Sequence, residues 1–311
     1  MQLSIIIPTK DRGKIFERTI AAANDSVLHI DSEIIVVNDS KTSTPQVSET
    51  LKKVRLFNNP GQGVASARNF GVRNSTGNLL LFLDDDIVIS RASVDQVISL
   101  HQIYPNACFN LNWIYPPEME LDKTSFGRFI RANSMNNFKG WYNDPTWQDN
   151  ALFRSKSVAS FHLSIARANF DKTNGYNESF PFAGFEDHDF PLRLKSQGIE
   201  FFIDSRVTVY HNESDRLTVK GWLNNQGRRA ITRRVAVDLG YQELRLEYHG
   251  LKRKVLQLLS PLDFLIEGLL NIIPNVGIFD GIYRKLLSAL VAVKIFNGYT
   301  SQQNNGTVTK G

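Results

Sequence analysis

The chain has 311 residues, 42% hydrophobic, 22% charged and 11% aromatic, which excludes a disordered chain and supplies one large core, or one core and an appendage. A single cysteine, Cys108, excludes an intrachain disulfide and fits a reducing compartment. The net charge of +5 is regional: residues 216–254 hold ten Lys/Arg against three Asp/Glu, a local +7, leaving −2 elsewhere. Nucleic acid, an anionic membrane surface, an acidic substrate or a plainly solvated helix face would each suit such a stretch.

The opening MQLSIIIPTKDR has no basic segment followed by a long apolar run and a small-residue cleavage site, so it reads as a first core strand rather than a secretory signal. Apolar runs at 3–7, 33–37, 54–57 and 78–83 alternate with helical stretches that include 14–27 and 63–73. Short Ile/Val/Leu runs spaced by helices predict parallel strands, buried on both faces of an open α/β sheet. Ligands of such a sheet sit at the carboxyl ends of its strands. Polar clusters fall at those ends: Thr9-Lys10-Asp11-Arg12 after the first strand, Asn38-Asp39-Ser40 after the second and Asp84-Asp85-Asp86 after the fourth.

Residues 108–153 are loop-rich, with Trp113, Pro116, Pro117, Trp141 and Trp147, and are expected to shape a substrate cleft. Regularity returns at 160–166, followed by a helix over 188–197 and strands over 201–203 and 207–210. From 217 to 297 the chain reads as helical. An apolar stretch at 256–279, broken by Pro261, Asp263, Glu267 and Pro274, reads as too interrupted to span a bilayer. The expected division is an α/β domain over 1–215, a helical region over 216–300 and a frayed polar tail over 301–311.

Three consecutive carboxylates ending the apolar run LFLDDD are costly unless a cation is shared. A hard divalent ion held by Asp84 and Asp86, with Asp85 pointing the other way, answers that cost. A solvated acidic turn capping a helix from Ser90 is the alternative. The run GQGVASARNFGV opens a helix carrying Arg68, suited to phosphate or to nothing more than a cap; it is neither a P-loop nor a dinucleotide fingerprint. In FAGFEDHDF, Glu186, Asp187 and Asp189 are dense enough to tune one carboxylate as a general base, or they simply favour a helix N-terminus. His211, at the end of VTVY, is either a structural histidine or a further metal ligand.

Taken together, SIIIPTKDR, VVNDS, GVASARN, GNLLLFLDDD and the run from NFDKTNGY through FEDHDFPLRL to VYH resemble the family-two glycosyltransferases over about residues 3–212. The resemblance implies a GT-A fold, an open and mostly parallel sheet flanked by helices, here with a helical C-terminal extension. It implies nucleotide contacts from Pro8, Thr9, Asp11, Arg12, Asp39, Arg68, Asp84 and Asp85, with Asp39 accepting from a base N–H. It implies Mn²⁺ or Mg²⁺ held by Asp84, Asp86 and His211, and an acid pair facing the acceptor, Asp187 as base and Glu186 as alternate. Lys10 and Asp11 depart from the aromatic residue and Asn more common there in the family.

The implied reaction is inverting transfer of a sugar from a nucleoside diphosphate, UDP by preference, to a hydroxyl of a glycan or lipid-linked glycan, in polysaccharide or cell-envelope biosynthesis. Sugar nucleotidyltransfer and a non-enzymatic binding module are the competing readings. Nucleic acid is not an expected partner. The expected location is the cytoplasm, at the inner face of the cell membrane if Arg228, Arg229, Arg233 and Arg234, with the apolar residues that follow, form a peripheral attachment. Packing of those helices on the domain or on a partner is the alternative.

Overall fold

A computed structural model describes residues 2–301; the expected tail lies, from 302 on, outside the described residues. In chain order the elements are β1 (Leu3–Thr9), α1 (Lys14–Ser26), β2 (Ser32–Asn38), β3 (Val54–Asn58), α2 (Val64–Arg73), β4 (Leu79–Leu83), β5 (Ile87–Val88), α3 (Arg91–Ile103) and β6 (Ala107–Ile114). Then come α4 (Ser125–Ala132), α5 (Phe138–Tyr142), β7 (Leu152–Arg154), β8 (His162–Ala166), α6 (Arg167–Asp171), α7 (Glu186–Ser196) and β9 (Glu200–His211). Four helices close the described chain: α8 (Val219–Asp238), α9 (Gly250–Leu259), α10 (Asp263–Ile272) and α11 (Asp280–Thr300).

The strands form one mixed, mostly parallel sheet in the order β3-β2-β1-β4-β8-β6-β9-β5, with β7 on β9. β1, β2, β3 and β4 run parallel, as their continuous apolar sequence predicts, and every residue of β1 and β4 is buried. β8 enters antiparallel beside β4. Helix α2 lies close on the sheet: a Cβ at Gly71 would come within 2.4 Å of Ile6 Cγ2, so glycine at this position permits the approach. Ser90 caps α3 through a reciprocal capping box with Ser93.

The two strands expected at 201–203 and 207–210 are one, β9. Its pairing with β6 slips between Leu111 and Asn112, where Asp204 folds back to accept from the Arg206 backbone N–H at 3.1 Å and its side chain at 2.8 Å. A bulge, not a break, separates the two apolar runs.

The described residues divide into two compact units, one of residues 2–120, 130–181 and 186–215, the other of 121–129, 182–185 and 216–301. The first holds the sheet. The second holds α8 to α11, with Leu256 packed on Val293 and Phe296, and Arg128 gripping Asp280 through two bonds of 2.7 and 2.8 Å. The apolar stretch at 256–279 is interrupted where expected at Pro274, since α10 stops at Ile272, but not at Pro261. Pro261 falls in the first turn of a short 3-10 helix that joins α9 to α10, and the chain stays helical from 250 to 272. By length and composition, that stretch alone among the described residues could cross a membrane.

Candidate active site

The site is built on the carboxyl ends of β1, β2 and β4. Asp39 follows β2, its backbone N–H bonded to the Thr9 carbonyl at 2.8 Å. Its Oδ1 accepts from Asn59 Nδ2 at 2.8 Å and from the Gly63 N–H at 2.9 Å, and Lys10 Nζ stands 3.6 Å from Oδ2. Gly63 turns the chain into α2 at φ +88°, a conformation natural to glycine, and so directs its N–H at the carboxylate. Asp11 sits at φ +52° and accepts from Ser40 Oγ at 2.5 Å and Ser43 Oγ at 2.7 Å. Pro8 is buried within β1, in register with Val37.

The three aspartates after β4 part company. Asp85 turns inward, taking Thr9 Oγ1 at 2.8 Å and Arg12 Nε at 3.1 Å. The Arg12 guanidinium is buried and also pairs with Asp86 and Asp215. Burial disfavours its charge, but Asp85, Asp86 and Asp215 outweigh burial and hold its pKa above the ordinary value.

Asp86 faces His211, whose Nε2 is 3.2 Å from Oδ1, and Glu213 completes a group whose ligand atoms lie within 4.8 Å of one another. Burial alone would lower the His211 pKa; Asp86 and Glu213 reverse that and lift it to about 9. Glu213 accepts from the Tyr115 hydroxyl, and the Trp113 and Tyr115 rings stand edge-on to the imidazole at 4.9 and 5.9 Å. One imidazole nitrogen and two carboxylates are a donor set that fits a divalent cation, Mn²⁺ more readily than Mg²⁺, which prefers oxygen alone.

Asp84 lies outside that group and takes Arg68 instead, at 2.9 Å. Burial, with the neighbouring Asp86 and Asp187 charges, pushes the Asp84 carboxyl up against the opposing pull of Arg68. Arg68 is itself buried, its NH1 group 3.3 Å from Glu186 and 3.9 Å from Asp187, its guanidinium 5.2 Å from the Tyr176 ring. Burial works against its charge, and Asp84 leads the groups that keep it raised.

At the start of α7 the carboxylates separate rather than couple. Glu186 is buried on Arg68, and Asp189 is taken by Arg193 at 2.6 Å. Asp187, with 28% of its side chain exposed, accepts from Ser160, whose Oγ lies 2.8 Å from the Tyr176 hydroxyl. Phe161, the next residue, gives its carbonyl to the Asp84 N–H at 2.9 Å and sets its ring 6.5 Å from that of Trp141, an exposed indole.

Sequence reasoning did not reach Glu213, Tyr115, Asp215 or Ser160 as members of the site. For Glu213 the signal was present, an acid two residues past a histidine at a strand end. For the others, only tertiary contact brings them in.

The sequence matches the family described as Glycosyl transferase family 2 over residues 4–170, and the family described as the N-terminal domain of galactosyltransferase over 151–213. The chain belongs to glycosyl transferase family 2. Among curated relatives of this family 2 member, a validoxylamine A glucosyltransferase of Streptomyces hygroscopicus is 26% identical over 63% of this chain and 52% of its own length. An uncharacterized glycosyltransferase of Haemophilus influenzae is 32% identical over 62% and 61% of the two chains. The chain thus spans about half the length of the glucosyltransferase it matches, 52% or 48% by strain.

Among solved structures, a mannosyltransferase from Pyrobaculum calidifontis in complex with GDP-Man and Mn²⁺ superposes with a TM-score of 0.55 at 12% identity, over 96% of this chain and 88% of its own. GalNAc-T7 with UDP, GalNAc and Mn²⁺ gives 0.51 at 14% identity, over 68% and 43%. These likenesses show the GT-A fold in this family 2 chain.

Proposed function

We propose that this family 2 member transfers a hexosyl group from a nucleoside diphosphate sugar to a hydroxyl of a glycan or lipid-linked glycan, with inversion. The observation that carries the reading is Arg68, which pairs at once with Asp84 after β4 and with Glu186 and Asp187 at the head of α7. One cation so placed joins a diphosphate side to an acceptor side. Bound nucleotides and Mn²⁺ in the two superposed relatives support the donor class; UDP is the preferred nucleotide, with GDP and dTDP the alternatives.

In this reading Asp39 receives a base N–H, its position fixed by Asn59 and Gly63. Pro8 and Asp11 flank the nucleoside, and Thr9, Arg12 and Asp85 hold the loop ends together through their mutual bonds. Asp86 and His211, joined by Glu213 and with Asp84 nearby, would hold Mn²⁺ or Mg²⁺. When bound, such an ion offsets the charge that gathers on the departing diphosphate. Arg68 adds fixed positive charge on the same side.

Asp187 takes the proton of the acceptor hydroxyl. It is the more accessible of the pair, and Ser160 and Tyr176 orient it; Glu186 is committed to Arg68. A single displacement at the anomeric carbon inverts its configuration. Trp141, exposed beside Phe161, offers a flat apolar face to an acceptor sugar ring. The proposed location is the cytoplasm, in keeping with one buried free thiol, Cys108.

Thermal-shift titration against UDP, GDP, dTDP and ATP, each with Mn²⁺, Mg²⁺ or EDTA, tests the donor site. A metal-dependent rise in Tm for one diphosphate is expected by mass action. No rise for any diphosphate would overturn the reading, and pyrophosphate release from a triphosphate would point to nucleotidyltransfer.

A further inference from the structure

The helical unit leaves an unusual surface. Twelve large apolar side chains between Leu251 and Ile282 are exposed, out of eighteen such residues in the whole described chain. Seven of them, Leu251, Val255, Leu258, Leu262, Leu265, Leu269 and Ile272, recur at strict spacings of four and three, a single helical stripe. Soluble monomers rarely expose a contiguous apolar patch beyond a few hundred Å². Something covers this one.

The charges say what. Lys252, Arg253 and Lys254 are exposed at the head of the stripe, and Arg284 and Lys285 are exposed just beyond its end. Two of the three acids between are paired within the unit, Asp263 with Lys294 at 2.6 Å and Asp280 with Arg128, and Glu267 is the third. An apolar stripe flanked by exposed basic residues complements an anionic lipid surface.

Two other occupants fit less well. A coiled-coil partner would need charged positions beside the seam to set its register, but these are held by Leu259, Pro261, Ile266 and Gly268 over most of the length. A membrane-spanning course is opposed by packing: Leu256 and Leu270 are buried, and Ser260 Oγ donates to Asn297 at 2.7 Å. Three of the four α8 arginines are also engaged: Arg233 bonds the Leu244 carbonyl at 2.6 Å, Arg234 pairs with Asp238, and Arg228 lies over the Phe182 ring. The basic contribution at the head of the stripe comes from 252–254.

We propose that residues 250–282 lie in the plane of an anionic bilayer surface, apolar stripe down, as a monotopic lipid-binding element. The proposal stands apart from the sugar-transfer reading. Flotation of the full chain with phosphatidylcholine vesicles, with and without phosphatidylglycerol, tests it. Wild type should float with the anionic vesicles. Charge reversal of Lys252, Arg253 and Lys254 to Glu should cut that binding by about a hundredfold or more, and added salt should weaken the binding of the wild type. Leu258→Glu with Leu265→Glu should cut it by about tenfold or more. Both sites are exposed, so the variants should keep the wild-type Tm and its rise with nucleotide and Mn²⁺.

Recovery of wild type and Leu258→Glu/Leu265→Glu in equal amounts with anionic vesicles would overturn the proposal. So would a wild-type dimer by light scattering that ignores vesicles and falls apart in the same variant.

Discussion

The two compact units invert the usual placement of side chains in opposite ways. The sheet unit buries charge: Arg12, Arg68, Asp85, Asp86 and Glu186 are all nearly inaccessible, and each is held by groups of opposite sign. The helical unit exposes apolar surface, with Leu251, Leu258 and Ile272 more than two-thirds open to solvent. Each inversion costs folding free energy unless something is gained from it. A buried ionic cluster fixes geometry around a charged ligand, whereas an exposed apolar stripe reserves area for a surface outside the chain.

The largest effect should come from the least buried member of the acid pair. Asp187→Asn keeps the shape and the Ser160 contact but removes the base, and turnover should fall by about 10²–10⁴ with the nucleotide-and-Mn²⁺ rise in Tm unchanged. Steady-state rates alongside thermal shift check it. Full activity in Asp187→Asn would move the role to Glu186 or end the assignment.

Arg68→Met tests whether buried charge in the sheet unit is structural as well. It retains length but strands Asp84 and Glu186, and removing one member of a buried pair costs roughly 3–5 kcal/mol. Arg234→Met in the helical unit breaks an exposed pair with Asp238 and should stay within about 0.5 kcal/mol. Urea unfolding of both variants gives the contrast directly; equal losses would erase it.

Two buried histidines of the sheet unit make the same contrast visible through pH. Burial lowers His101 and His162 from the ordinary 6.5 to about 4. The unfolded chain therefore binds more protons between pH 6.5 and 4, and stability is lost as pH falls through that window. Each histidine should account for about 2 kcal/mol between pH 7 and 5. His162→Leu should remove about half of the combined loss in urea midpoints measured at the two pH values, and an unchanged pH slope would refute the assignment.

The sequence made the sheet half legible because strand burial leaves a direct mark, Ile, Val and Leu in runs such as LSIIIPT and LLLFL. Ligand-bearing loops then follow from topology, which is why Asp39, Arg68 and Asp84–Asp86 were locatable. Their partners were not. Whether Asp84 meets a cation or an arginine depends on Arg68, sixteen positions earlier and on another element, and the Ser160–Asp187 contact depends on β8 lying beside β4. Local pattern carries no such information. The single β9 was misread as two strands because a bulge at Asp204 looks like a turn in one dimension. Pro261 misled in the opposite direction: its residue type signals a break, but its position at the start of a helical turn permits continuity.

The smallest expected change is also the sharpest test of what the exposed stripe is for. If Leu258 and Leu265 contributed to the fold, replacing both with Gln would cost what core leucines cost, about 2–5 kcal/mol each for a truncation such as Leu80→Ala. Their exposure argues otherwise, since side chains already in water lose no burial when made polar. Leu258→Gln with Leu265→Gln should leave the urea midpoint within about 0.5 kcal/mol of wild type, while Leu80, fully buried in β4, shows the full core penalty. A large loss in the Gln variant would mean that the stripe is covered in solution by the chain itself or by a second copy. The two regions would then differ in degree only, both closed by their own contacts rather than one closed and one held open for a partner.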